Sequence, residues 1–171
     1  MIATEAAALT HSHDLGFISA AALAHIVRVV TESDILLKDA VNNSIITVEK
    51  LFSNAKHIDE FTDIMRKAVQ LAETEIDSFF AIHQLGEGWV AEETLAIAVY
   101  CALKYENDFD MAIRTAVNHN GDSDSTGAVC GNILGAYIGY NAISQKYKNS
   151  LELHNLIIKI ADSLYNTRLG M

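Results

Sequence analysis

Apolar residues recur at intervals of three and four along almost the whole chain, and no stretch alternates convincingly with period two. That periodicity predicts an all-α protein. From Phe17 to about Thr31, Ile18, Ala22, Ile26 and Val29 fall on one face, and from Ile35 to Phe52, Leu37, Val41, Ile45, Val48 and Phe52 repeat the spacing. The pattern predicts a longer helix from Asp59 to about His83, with Phe61, Ile64, Met65, Ala68, Leu71, Ala72 and Phe79 as its stripe. A turn at Gly86 to Gly88 follows, and then a nearly all-apolar helix through Leu95, Ala98 and Ala102, as expected of a central helix. Asp108 or Asp110 is placed to cap a short helix to about Asn118. A last helix starting at Asn149 or Ser150 would turn Leu153, Leu156, Ile157, Ile160, Ala161 and Leu164 inward. The opening MIATEAAAL is helical in composition but has no cap or polar lead-in, so it reads like the middle of a domain. No repeat, linker or low-complexity segment divides residues 1–171, which are read as a single domain long enough to bury a core.

Composition removes several function classes. Half the residues are hydrophobic and a fifth are charged, unlike a disordered chain. No apolar run is read as reaching the roughly 18 to 20 residues of a membrane helix. Nothing at the start resembles a secretory signal, so a soluble, cytoplasmic protein with no membrane partner is expected. Cys101 and Cys130 lie in apolar helical stretches and are expected as buried free thiols. The formal net charge is -10, and the twelve Lys and Arg are scattered, which argues against a nucleic-acid partner. An anionic ligand would need a local cation, supplied by a divalent metal or a helix N-terminus.

The stretch HNGDSDSTGAVCGNILGAYIG, His119 to Gly139, concentrates the chemistry. Gly127, Gly131, Gly135 and Gly139 are spaced by four and would form one ridge, at a cost of about 1 kcal/mol each relative to Ala in a helix interior. Close approach of another helix or of a ligand would offset it. Asp122 and Asp124 stand where acids cap a helix and complement its dipole. Gly121 frees the backbone before them and Ser125 adds a hydroxyl, so the group is also a compact set of the hard oxygen donors preferred by Mg²⁺ or Mn²⁺. His119 and Asn120 border the turn and could hydrogen-bond a ligand or a water.

GDSDSTGAVCGNILGAYIG closely resembles the C-terminal signature of the ADP-ribosylglycohydrolase family, ALTHSHDLGFISA resembles its Thr-His segment, and LGEGWVAEETLAIAVYCAL resembles the segment leading into its central helix. The three follow the family's order. The resemblance implies an all-α orthogonal bundle lacking the N-terminal helices, and a hydrolase that removes ADP-ribose from a protein side chain or small molecule by glycosidic cleavage with two Mg²⁺ or Mn²⁺ ions. By motif, Asp122, Asp124 and Ser125 match metal ligands, with Asp124 taken as the catalytic residue nearest both ions, and His11 matches a histidine lining the ADP-ribose pocket. Asn120 and Gly121 are read as ligand-binding, His13 as a helix-end histidine, and Trp89 as core rather than an adenine platform. The family's Gly-Asp-x-x-Gly and Thr-Asp-Asp motifs are absent. The resemblance therefore implies that catalysis needs a separately supplied N-terminal half. The alternatives are a non-catalytic module for ADP-ribose or metal, which could be a homo-oligomer, and a structural relic.

Overall fold

The computed structural model describes residues 2–168. Among them, every regular element is helical. The helices are α1 (Ile2–Ala8), α2 (Asp14–Glu32), α3 (Leu37–Leu51), α4 (Ile58–Ala72), α5 (Ser78–His83), α6 (Ala91–Lys104), α7 (Phe109–Val117), α8 (Ser123–Ile138), α9 (Gln145–Asn149) and α10 (His154–Arg168). Two compact units divide the chain, the first ending at Gly139 and the second beginning at Tyr140.

In the first unit α6 is the axis. Every residue from Leu95 to Ala102 is at most 2 % exposed, because this helix is apolar on all sides and has neighbours on all sides. Helices α2, α4, α7 and α8 pack against it. They contribute Ile18, Ala22 and Ile26 from α2, Phe61, Met65 and Ala68 from α4, and Cys130, Ile133 and Leu134 from α8, all fully buried. Each such large side chain is worth about 1.5–3 kcal/mol of burial. The Ser44 hydroxyl donates to the Ala22 carbonyl at 3.0 Å and ties α3 to α2. Both cysteines are free and buried, as expected. Burial pushes the Cys130 thiol up to about 12 and the Cys101 thiol well above its ordinary value.

Four expectations need correction. The predicted helix over 59–83 is two helices. Thr74 closes α4 by donating both its amide, at 3.1 Å, and its hydroxyl, at 2.8 Å, to the Leu71 carbonyl. Asp77 then caps α5 by accepting the Phe79 amide at 3.0 Å. The apolar residues of the last helix do not face inward: Leu153, Leu156, Ile157, Ile160, Ala161 and Leu164 are all exposed. Helix α2, at 19 residues, is in fact long and apolar enough by composition to cross a membrane, but one face of it, through Leu15, Ile18, Ala22, Ile26 and Val30, is built into the core. Trp89 is 67 % exposed rather than core, its indole N–H donating to the Glu87 carboxylate at 3.2 Å.

In the second unit a short 3-10 turn, Tyr140–Ala142, precedes α9 and α10. The Tyr140 hydroxyl pairs with His154 Nε2 at 2.6 Å, and the Lys148 ammonium lies 4.2 Å from the Tyr140 ring centroid.

Candidate functional site

Asp122 occupies the N-cap position of α8, yet its side chain makes no capping hydrogen bond to the helix amides. Beside it the Thr126 hydroxyl is turned to backbone carbonyls, lying 2.7 Å from that of Ala116 and 3.1 Å from that of Asp122. The Asp122 carboxylate is engaged within its own turn, by the Ser125 hydroxyl and by the Asp124 carboxyl. The Ser125 hydroxyl, and after it the Asp124 carboxyl, hold it below the usual carboxylate range, so it is ionised at neutral pH. Asp124 is exposed in the first turn and Ser125 is half-buried. Three hard oxygen donors thus stand within four residues of a helix N-terminus.

The turn itself is held from below. His119 Nδ1 accepts the Gly121 amide at 3.1 Å, which leaves Nε2 as the protonated nitrogen, donating to Thr126 Oγ1 at 2.9 Å. Both ring nitrogens are used within the fold, so His119 supports the turn instead of offering itself to a ligand. Gly121 spends its amide on His119 and its carbonyl on the Ser123 amide, at 2.9 Å. What requires glycine there is space, because a Cβ at position 121 would lie 1.6 Å from the Glu87 carbonyl oxygen. Asn120 is exposed and borders a small groove together with Phe79, His83 and Glu87.

The glycine ridge is shorter than its spacing suggests. A Cβ on Gly127 would lie 2.5 Å from Val117 Cγ1 of α7, whereas one on Gly131 would meet Ile113 Cδ1 at an ordinary 3.6 Å. Gly139 is not on the helix. It ends α8 with φ near +78°, and a Cβ there would meet nothing within 4 Å. Close packing against α7 thus accounts for Gly127 but not for Gly131 or Gly139.

Beside the acidic turn, α2, α6 and α8 enclose a groove of about 370 Å³, whose wall includes Gly16, Ser19, Thr94, Ser125 and Val129. His11, exposed between α1 and α2, flanks its Gly16 end: a Cβ on Gly16 would lie 3.1 Å from His11 Cβ. The Thr10 hydroxyl lies 2.8 Å from His11 Nδ1. His13 instead caps α2, accepting the Leu15 amide at 3.3 Å. Ser19 is only 4 % exposed and its hydroxyl has no hydrogen-bond partner. A buried hydroxyl left unpaired costs about 1–3 kcal/mol, so the groove wall carries an unmet polar demand. Sequence reasoning passed over Ser19, although its setting in GFISAA, among small residues on α2, was the available signal.

The donor set fits one side of a divalent ion. Among the described residues, no three His, Cys, Asp or Glu side chains converge to hold a metal. Asp122 and Asp124 with the Ser125 hydroxyl supply a fraction of the six or so ligands that Mg²⁺ or Mn²⁺ takes.

The profile of the ADP-ribosylglycohydrolase family matches residues 1–170. The chain belongs to the ADP-ribosylglycohydrolase family. Similarity to individual members is low: 23 % identity over 180 residues with ADP-ribosylhydrolase ARH3 of Bos taurus, covering 93 % of this chain and 49 % of that protein. An uncharacterized protein of Archaeoglobus fulgidus is 26 % identical over 119 residues, covering 68 % of this chain and 38 % of that protein. The chain thus spans about half the length, or less, of these curated relatives. No solved structure matches it. The helical architecture agrees with the all-α fold of the ADP-ribosylglycohydrolases.

Proposed function

We propose that this ADP-ribosylglycohydrolase chain carries one side of a metal-dependent site that removes ADP-ribose from a modified side chain or small molecule. The observation that supports it most is the gathering of the Asp122 and Asp124 carboxylates and the Ser125 hydroxyl at the start of α8, with Asp122 held in its ionised form. Asp122, Asp124 and Ser125 would hold the ion or ions, with Asp124, the exposed member, nearest both. A bound pair of Mg²⁺ or Mn²⁺ would orient sugar hydroxyls and stabilise charge on attacking and leaving oxygens. The residues of this chain do the rest on their side. Asp122 enters ionised, His119 and Thr126 fix the turn, and His11, Asn120 and Gly121 border the space in which the ADP-ribose moiety would lie.

The remaining ligands are assigned to the part of the fold that this chain does not contain, since it matches only 49 % of the ARH3 relative. The groove between α2, α6 and α8, with the unpaired Ser19 hydroxyl in its wall, is the face on which that part would rest. A non-catalytic module for ADP-ribose or metal is the second reading, favoured by the same fact that no three acidic, His or Cys side chains converge among the described residues. The two separate in a hydrolysis assay on an ADP-ribosylated protein with Mg²⁺ or Mn²⁺, comparing the chain alone with the chain plus the N-terminal half of a full-length relative. Release of ADP-ribose only in the mixture, and its loss in Asp124→Asn, supports the hydrolase. No release in either, by folded protein that still binds ADP-ribose, establishes the module.

A further inference from the structure

The acidic turn does not hold itself in place. It rests on the loop Gly86–Gly88, and that loop is gripped from α6, chiefly by Glu93. Glu93 Oε2 accepts two backbone amides, from Glu87 at 3.1 Å and from Gly88 at 3.0 Å. Thr94 adds a bond from its hydroxyl to the Gly88 carbonyl at 2.7 Å. Gly86 and Gly88 both have positive φ, and a Cβ on Gly86 would lie 2.3 Å from Glu93 Cδ, so the Glu93 side chain lies across the bare backbone of Gly86. Held this way, the loop presents the Glu87 carbonyl to the Asp122 amide at 2.8 Å, directly beneath Gly121. A Cβ on Gly88 would lie 2.9 Å from Thr126 Cγ2, so the loop also abuts the first turn of α8 at Thr126.

We infer that Glu93 is a positioning residue for the acidic turn: by clamping the Glu87 and Gly88 amides it fixes the Glu87 carbonyl, and through it the start of α8 at Asp122. A glutamate in the third position of a helix commonly reaches back to the amide of its own cap. Glu93 reaches further, to residues five and six positions back, and so links α6 to the first turn of α8. The consequence for function rests on the proposed reading of Asp122 and Asp124 as metal ligands. The positional claim does not.

The test uses the full chain with Glu93→Gln, Glu93→Asp and Glu93→Ala, following backbone amides by NMR hydrogen exchange. The amide oxygen of Gln can still accept both bonds, whereas Asp keeps the charge and is one methylene too short. In Glu93→Asp and Glu93→Ala the Glu87, Gly88 and Asp122 amides should all exchange faster, by about tenfold, the factor equivalent to one net hydrogen bond. Amides of the α6 core should be unchanged, and Glu93→Gln should restore all three. Asp122 protection that survives in Glu93→Asp while Glu87 and Gly88 lose theirs overturns the inference. If Glu93→Ala does not fold, the Asp and Gln variants carry the same comparison. Mn²⁺ added to the wild type tests the underlying reading separately: paramagnetic broadening centred on Asp122 to Ser125 supports it, and its absence refutes the metal site while leaving the exchange result to decide Glu93.

Discussion

Replacing Gly121 by Ala adds one methyl group and should damage the protein more than any other glycine-to-alanine change on or beside α8. The added Cβ would fall 1.6 Å from the Glu87 carbonyl oxygen, 2.5 Å from its carbon and 2.8 Å from Glu87 Cα. All three are backbone atoms, so no rotamer change makes room. The loop must move away, and the bond from the Asp122 amide to the Glu87 carbonyl, 2.8 Å, breaks with it. Overpacking of this kind costs about 1–3 kcal/mol and the lost hydrogen bond about 1 kcal/mol, giving about 2–4 kcal/mol together. For a chain of this size that is a fall in Tm of about 4–16 °C. Gly131→Ala is the control. Its Cβ meets Ile113 Cδ1 at 3.6 Å, a comfortable contact, and the helix gains up to about 1 kcal/mol in propensity. Urea denaturation of both variants followed by circular dichroism gives the comparison. The reasoning fails if Gly121→Ala lies within about 0.5 kcal/mol of wild type, the range of an unremarkable surface change, or if Gly131→Ala is the more destabilised of the two.

Two further outcomes follow from buried groups. Glu92 is 8 % exposed, and burial pushes its carboxyl above the ordinary 4.5, with the Glu60 and Glu93 charges adding to the shift and its own backbone amide and His13 opposing it. A pKa raised on folding stabilises the protein fully below pH 4.5, and that contribution is lost as pH rises through the folded value, so ionised Glu92 is a burden at neutral pH. Glu92→Gln should therefore raise Tm more at pH 7 than at pH 4; an equal gain at both, or a loss at pH 7, contradicts this. The Cys101 and Cys130 thiols should resist a disulfide-exchange reagent at pH 8 in the native protein and react on unfolding, because burial suppresses both thiolates. Rapid labelling of the folded chain would show that the α6–α8 contact opens easily.

Where periodicity and packing pointed the same way, the fold was legible in the sequence. The stripes Ile18–Ala22–Ile26 and Leu37–Val41–Ile45–Val48 are buried, and the all-apolar Leu95–Ala102 is the core axis. Reading failed where a local bond overrode the pattern. The apolar stripe runs on toward Phe79, but Thr74 closes α4 and Asp77 reopens the helix, and Asp-Ser-Phe-Phe was a capping signal that the longer periodicity masked. Periodicity also reports only that a helix has an apolar face, not that the face is covered, and α10 keeps Leu156, Ile157 and Ile160 exposed. The acidic turn was visible as a motif, yet the reason for its glycine was not. Gly121 is fixed by a carbonyl from residue 87, 34 positions back in sequence, and nothing within the motif announces that neighbour. The same distance hides Glu93, which as a sequence letter is one more acid in the first turn of a helix.

The measurement that bears most directly on the central claim is calorimetric titration of the chain with Mn²⁺, then with ADP-ribose in its presence, with Asp124→Asn as the control. The account predicts that Mn²⁺ binds, that ADP-ribose binds more tightly when the metal is present, and that both effects are lost in Asp124→Asn while the variant keeps its fold. Binding of ADP-ribose that is indifferent to metal and to Asp124, or no binding of metal to folded wild-type chain, would contradict the assignment of the acidic turn as the metal-holding side of the site.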